Sequence, residues 1–469
     1  MQLFGSYDVV VTGAGSAGIV AAIRAAREGA SVLLVEGTGF LGGLITGGRL
    51  TKPTGLINSP VFHEMLDRCV GYKGADGRVR ESYWGKYTGT FDAEVMQRVI
   101  IEMVEEAGVE VLLRASVVQT VMQDDAVCGL IVRAKSGESL VLGKAFVDAS
   151  GDGDVAALSG GHFKLGREAD GLTQPITSYF RVLNVDVPAL IADCEAHRDD
   201  MWEVVYPAEA TLNEDFAMAV LLTGFQQRIK DKVREGFDWI IPKDHITMKT
   251  GLMPGEISVN VTRYQGNGLN DRDLSRAEIE IRKQAYCAFD FLQRYVGGFA
   301  DAIFLEVAPK LGVRETRRIV GAYEITEADV RGNRRFEDGI GLCNSPVDVH
   351  EPGGSRAIMD HVGVGYGIPY RAMIPQDIDN LIIAGRCISA DAIAFGSTRN
   401  VPACTMTGEA AGIATALAAG QGQRTSGIHV SQIQARLREL QVWLGTPDSD
   451  VPAILATTTG SVSVEATHL

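Results

Sequence analysis

The chain has 469 residues, with 44 Lys and Arg against 59 Asp and Glu, a formal net charge of −15 at pH 7. So acidic a surface repels nucleic-acid backbone and anionic membrane, and a composition of 46% hydrophobic and 22% charged residues excludes a disordered or fibrous chain. The length predicts two domains or three.

Residues 8–12, Asp-Val-Val-Val-Thr, read as a short strand buried on both faces. Gly13-Ala14-Gly15-Ser16-Ala17-Gly18 follows, then an alanine-rich helix over 19–28 that ends at Gly29, and a second buried strand over 31–36 that closes on Glu36. This is a βαβ unit with the G-x-G-x-x-G fingerprint of dinucleotide binding. Gly13 permits the tight turn and Gly15 the approach of backbone amides to a pyrophosphate. Gly18 lets helix and strand pack closely, and Ser16 and Ala17 sit at the helix N-terminus that stabilises the anion. Glu36 is placed to accept from the adenosine ribose hydroxyls, which disfavours the 2′-phosphate of NADP.

Beyond Glu36 an NAD domain returns to a helix. Here a glycine-rich loop comes instead, with Gly42, Gly43, Thr46, Gly47 and Gly48. Its bare backbone is expected to lie flat against the isoalloxazine ring of FAD. An excursion with Tyr83, Trp84 and Tyr87 follows, then a helix over 91–107, short strands over 109–142 and a buried strand over 145–149. That strand ends at Ser150-Gly151-Asp152-Gly153-Asp154. Residues 165–370 are more polar and irregular, with a helix over 276–295. In the arginine-rich end of this stretch, Arg317 and Arg318 near Glu315 read as an ion-pair cluster joining two domains. The α/β pattern returns with a strand over 380–386 and a helix over 403–419. The start of that helix, with Met406 and Thr407 close by, is expected to face the flavin pyrimidine. An amphipathic helix over 430–444 ends the pattern. The fold class is α/β: a Rossmann-like FAD-binding domain, a parallel sheet plus β-meander, assembled from 1–50, 90–165 and 371–425. An α+β substrate domain, 51–89 and 166–370, is inserted, and 426–469 forms a C-terminal helix and tail.

Several stretches resemble the two-domain FAD-dependent oxidoreductases, of the glutathione-reductase and fumarate-reductase type. They are the first glycine motif, Val147 through Asp154, Gly166-Arg167-Glu168-Ala169-Asp170-Gly171 with Thr173-Gln174-Pro175, Leu311 through Arg318, Pro346-Val347-Asp348-Val349-His350, Ile368-Pro369-Tyr370-Arg371, Leu381 through Ser389 and Gly408-Glu409-Ala410-Ala411-Gly412. Within them the chain is most similar to the broad group of FAD-dependent oxidoreductase family proteins. The resemblance implies FAD held through Gly13, Gly15, Gly18, Glu36, the 42–48 loop, the backbone near Val117 and Val118, Asp152, and Gly385 with Arg386. One departure stands out: where group members often carry Thr-His after the Gly-Arg-Cys-Ile-Ser-Ala run, this chain has Asp391 and Ala392.

Oxidation of an alcohol or amine needs a base for the heteroatom proton while hydride goes to flavin N5. His350 is the first candidate and His361 the second, since an imidazole titrates near working pH without special burial. Tyr370 and Tyr323 are lesser candidates, and Arg371 and Arg399 are candidates to clasp a substrate carboxylate. The leading expectation is an FAD enzyme that dehydrogenates a small organic substrate, its electron acceptor open. One alternative is a flavin monooxygenase or halogenase fed by transient NAD(P)H or a partner reductase, since a second complete nucleotide fingerprint is lacking. The other is a non-catalytic FAD- or NAD-binding protein. The scattered cysteines, without a CxxC pair, predict no metal site and fit a reducing compartment. With no signal peptide at the N-terminus and no membrane span expected, the expected location is the cytoplasm. Nucleic acid is not an expected partner, and the sequence leaves oligomeric state open.

Overall fold

A computed structural model describes residues 2–75, 79–82, 85–205 and 220–456. Tyr83, Trp84 and the tail over 457–469 lie outside the described residues. Strand β1 (Gln2–Thr12), helix α1 (Ser16–Arg27) and strand β2 (Val32–Glu36) form the βαβ unit. β1 pairs in parallel with β2 on one side and with the strand Gly137–Asp148 on the other. Its central Val9, Val10 and Val11 are 0% exposed, which accounts for the unbroken apolar run. Glu110–Leu113 extends the parallel sheet beyond β2, and Leu381–Ile383 adds to Gly137–Asp148. Antiparallel strands Ala126–Ala134 and Ser116–Gln123 complete a seven-stranded sheet, so the run of short strands is a meander on a parallel core.

The helix Val401–Gln421 packs along α1. A Cβ at Gly408 would lie 2.4 Å from the Ala17 carbonyl oxygen, and one at Gly412 would lie 2.6 Å from that of Ala21. Two glycines four residues apart thus make one bare face, and the matching step from 17 to 21 means that the helices run parallel. Across this interface Arg24 Nε donates to Glu409 Oε2 at 2.7 Å, while Glu409 Oε1 accepts from Ser59 Oγ and the Val61 amide, each at 2.8 Å. The pair is buried, and those two further donors satisfy the carboxylate that its isolation from water would otherwise destabilise.

A second sheet is wholly antiparallel, in the order Met201–Val205, Leu221–Gly224, Ile246–Thr250, Ile257–Asn260, Phe180–Leu183 and Ile303–Val307. Its strands alternate. Phe180, Val182, Leu222, Ile246, Met248, Ile257 and Val259 form a core with Ala285, Ala288, Phe291 and Leu292 of the long helix Asp271–Tyr295. The opposite face carries Arg181, Thr223, Lys249, Ser258, Asn260 and Glu306, and it too is largely shielded from water. A sheet face that is polar yet buried covers other polar structure, and here it is turned toward the nucleotide-type domain. Arg49 bridges the two by donating to Glu306 Oε1 at 2.8 Å, where Arg181 also donates, and the Lys310 amide donates to the Gly47 carbonyl at 2.9 Å.

The larger core includes Ile57, Val61, Phe62 and Met65 and also Ile319, Ile340, Val347 and Ile368. Parts of 51–89 and 319–370, assigned from sequence to the substrate domain, therefore pack with the seven-stranded sheet. The ion-pair cluster forms as expected. Arg318 donates to Glu315 and to the Gly166 carbonyl, and Arg317 Nη1 lies 2.9 Å from Asp154 Oδ1. Among the described residues no helix is long and apolar enough to cross a membrane.

Candidate active site

The first half of the site is a cradle at the ends of β1 and β2. Gly13 has φ +90° and its amide donates to the Val35 carbonyl; a Cβ on Gly18 would come within 1.8 Å of the Gly13 carbonyl oxygen. Gly15 differs. Its φ is −74°, and a Cβ there would meet nothing within 4 Å. A side chain is thus excluded at Gly13 and Gly18 by the protein itself, whereas Gly15 borders open space. As N-cap of α1 it leaves the first-turn amides uncapped by any side chain. The helix Val401–Gln421 arrives alongside. Its N-cap Asn400 turns its amide to the Pro346 and Gly396 carbonyls and does not cap the first turn, and Cys404 of that turn meets Ser16. Two parallel helices therefore open uncapped N-termini in the same direction; with Gly408 level with Ala17, the start at Val401 stands about 9 Å ahead of that at Ser16, and each end offers a place for negative charge. Glu36, 6% exposed, is fixed by the amides of Ala14 and Thr38, each at 2.7 Å. Each of its oxygens keeps a lone pair for a further donor.

The second half begins one residue before Asn400. Arg399 Nη2 donates to Asp348 Oδ2 at 2.8 Å and to the Asp348 carbonyl at 2.6 Å. Asp348 Oδ1 lies 3.1 Å from His350 Nε2, and His350 Nδ1 lies 3.3 Å from Arg263 Nη2. The His350 amide donates to Gln174 Oε1 at 3.0 Å. Lys243 Nζ donates to the Asn260 carbonyl, Asn260 Nδ2 to the Tyr179 hydroxyl, and Lys249 Nζ stands 5.1 Å from the centre of the Tyr179 ring. Arg314 donates to the Pro175 carbonyl at 2.6 Å. The polar face of the antiparallel sheet and the strand Val347–His350 thus bring their charged groups together.

Burial dominates the titration of this cluster. It pushes Lys243 and Lys249 down to about 7, with Arg314 and Arg263 adding repulsion at Lys243 and Lys52 at Lys249. Arg314 falls to about 9 by burial and the neighbouring Arg399, and is still cationic at neutral pH. His350 falls to about 3 by burial and the Arg314 charge. Burial alone would raise Asp348, but His350, Arg399 and Arg314 reverse this and hold its carboxyl well below the usual range.

The family described as FAD dependent oxidoreductase matches residues 8–437. The chain belongs to this family. It is 29% identical over 148 residues to digeranylgeranylglycerophospholipid reductase 1 of Methanococcoides burtonii, covering 30% of this chain and 35% of that protein. It is 32% identical over 126 residues to thiamine thiazole synthase of Aeropyrum pernix, covering 27% and 43%. The chain thus spans less than half the length of these curated relatives. Among solved structures, a flavin-dependent brominase is similar with a TM-score of 0.47 at 15% identity, covering 92% of this chain and 83% of that one. A geranylgeranyl bacteriochlorophyll reductase-like protein from Thermoplasma acidophilum gives 0.46 at 12%, covering 93% and 83%.

The cofactor of this FAD-dependent oxidoreductase is FAD, and the cradle fits it. The open space at Gly15 and the two helix N-termini suit its pyrophosphate and the electron-rich edge of its ring, and Glu36 suits the ribose. Val117 and Val118 lie half-buried on the strand Ser116–Gln123. Other expected contacts are placed differently. The 42–48 loop is coiled, not flat: the Ile45 amide donates to the Gly42 carbonyl and the Gly48 amide to that of Gly43, while Thr46 Oγ1 donates to the Leu41 carbonyl at 2.5 Å and Gly47 abuts the Phe40 ring. The helix begins at Val401, so Met406 and Thr407 fall in its second turn. Met406 is buried against Gly341, and Thr407 Oγ1 accepts from the Gly385 amide. Arg386 donates to the Gly151 and Val313 carbonyls and to Asp152, which also accepts from Thr316. Its guanidinium therefore braces the protein.

Among the catalytic candidates, His350 and Arg399 share the cluster and four others do not. Arg371 is half-exposed and forked onto Asp338, so it does not pair with Arg399. His361 is exposed. Tyr370 is buried in the larger core, and burial raises its hydroxyl far above the range of a working base. Tyr323 donates to Asp329. Asp391, at the departure from the family pattern, accepts from the amides of Ile393, Ala394 and Glu327 and so ties the turn before Phe395–Thr398 to the first residue of the helix Glu327–Arg331. Sequence reasoning gave no site role to Lys243, Lys249, Arg263 or Gln174. The available signal was a charge inside the alternation of Ile246-Thr247-Met248-Lys249-Thr250.

Proposed function

We propose that this protein oxidises a small organic alcohol or amine held between the polar face of the antiparallel sheet and the strand Val347–His350. The observation that carries the reading is His350, set between Asp348 and Arg263 close to the uncapped helix start at Val401. FAD, when bound, supplies the two-electron acceptor. A carboxylate only accepts and a guanidinium only donates, so His350 carries its proton on Nε2, toward Asp348, and its lone pair on Nδ1. In the free protein that lone pair faces Arg263 Nη2 at 3.3 Å; once a bound substrate draws the guanidinium to itself, Nδ1 takes the heteroatom proton as the substrate is oxidised, with Asp348 beside Nε2. With Nδ1 beside Arg263, the free imidazole is a weak base. Strength returns when a bound substrate offsets the neighbouring positive charge. The sheet above excludes water, which sharpens each of these interactions.

The test is anaerobic addition of candidate alcohols and amines to the yellow holoprotein. Bleaching of the flavin band by substrate alone supports the reading. Bleaching only by NAD(P)H or a reductase, with oxygen uptake stimulated by substrate, replaces it with a monooxygenase or halogenase. Flavin that nothing reduces returns the non-catalytic alternative.

A further inference from the structure

Resting on that reading, we propose that the substrate carries a carboxylate, received by Arg263, Arg314 and Lys243 beside His350. Buried cations are ordinarily paired, since an isolated charge is unfavourable away from water. Arg263 is 4% exposed and Lys243 7%, yet among the described residues no carboxylate lies within ion-pair distance of either, or of Arg314. Glu351 and Asp244 reach Arg263 only at longer range. The cluster's one close carboxylate, Asp348, is already shared by Arg399 and His350. The charge ledger therefore lacks an anion.

A second observation points the same way. Gln174 is 3% exposed; its Oε1 takes the His350 amide, and its Nε2 is buried without a partner among the described residues. The bond to His350 fixes which end of the amide is the donor. Arg263 is held by the Gly354 and Arg356 carbonyls and contributes mainly charge, whereas Arg314 and Lys243 each keep donors beyond the one given to the Pro175 and Asn260 carbonyls, and these with a buried neutral donor match the two oxygens of a carboxylate. Bound there, the anion also offsets the positive charge that weakens His350, so recognition and proton transfer are coupled.

The experiment uses holoprotein with malonate and succinate, their neutral diamides and inorganic phosphate as probes, read by calorimetry and melting temperature. The diacids are expected to bind and raise the melting temperature, and the diamides are not. Arg314→Met should weaken diacid binding about tenfold or more with flavin content retained. Gln174→Leu, which leaves every guanidinium in the chain, serves should Arg314→Met fail to fold, and should weaken binding in the same direction. Diamides that bind as tightly as diacids, tighter binding of phosphate, or wild-type affinity in a folded variant would each overturn the proposal. Diacid binding in a protein whose flavin no carboxylate-bearing alcohol or amine reduces sinks the oxidation reading and supports the carboxylate site.

Discussion

His350 Nε2 lies 3.1 Å from Asp348 Oδ1, and the opposite ring nitrogen faces Arg263. A histidine between a carboxylate and a guanidinium has its tautomer dictated by its partners, and its cationic form opposed by one of them.

His350→Asn should therefore slow substrate-driven flavin bleaching by about 10²–10⁴-fold while the visible flavin band stays intact. Asp348→Asn should slow it less, because the imidazole survives without its anchor. Because the free histidine titrates near 3 and not near its ordinary 6.5, the acid limb of kcat/KM should fall well below pH 6.5. Stopped-flow reduction and a pH profile check these outcomes.

The buried lysines set a pH dependence of stability. Lys243 and Lys249 titrate near 7 in the fold against 10.5 in an unfolded chain. Between those values the unfolded state binds more protons, so raising pH from 7 toward 10.5 favours the fold. His350 acts with the same sign lower down, and stability falls as pH drops from 6.5 toward 3. Melting temperature should climb from pH 7 to 9, and Lys249→Met should raise it at pH 7 and flatten the climb.

Gly15 and Gly18 should separate binding from folding. The Cβ added by Gly15→Ala meets no protein atom within 4 Å and no backbone strain, so urea unfolding of the apoprotein should be unchanged while FAD affinity falls. Gly18→Ala collides with the Gly13 carbonyl and should lose about 1–3 kcal/mol of stability.

Breaking the Arg24–Glu409 pair should destabilise without touching the chemistry. Glu409→Leu leaves the buried Arg24 with only its 3.5 Å pair to Glu28 and strips the Ser59 hydroxyl and the Val61 amide of their acceptor, with a cost of about 3 kcal/mol, read as a lower urea midpoint at constant slope. Replacing both residues by leucine should recover part of that loss.

The cradle was legible because its determinants are local. Three glycines, an acid and two apolar runs fall within residues 8–36, and each acts on its near neighbours in the chain. The start of the second helix was misjudged by two residues, although Pro402 marked its first turn. The cation cluster was not legible. Gln174, Lys243, Arg263, Arg314 and Asp348 come from separate strands and loops, and only tertiary pairing shows that these cations have no ion-paired carboxylate among the described residues. Arg371 failed for the converse reason: its sequence position resembles a site, but Asp338 claims it.

The central claim is that a carboxylate-bearing alcohol or amine delivers its electrons to FAD beside His350. The most direct measurement is anaerobic visible titration of the holoprotein with a panel of hydroxy and amino carboxylates and their amides. Bleaching by at least one acid, absent with its amide and with His350→Asn, is the predicted result. A flavin that resists every acid and is reduced by NAD(P)H alone contradicts it.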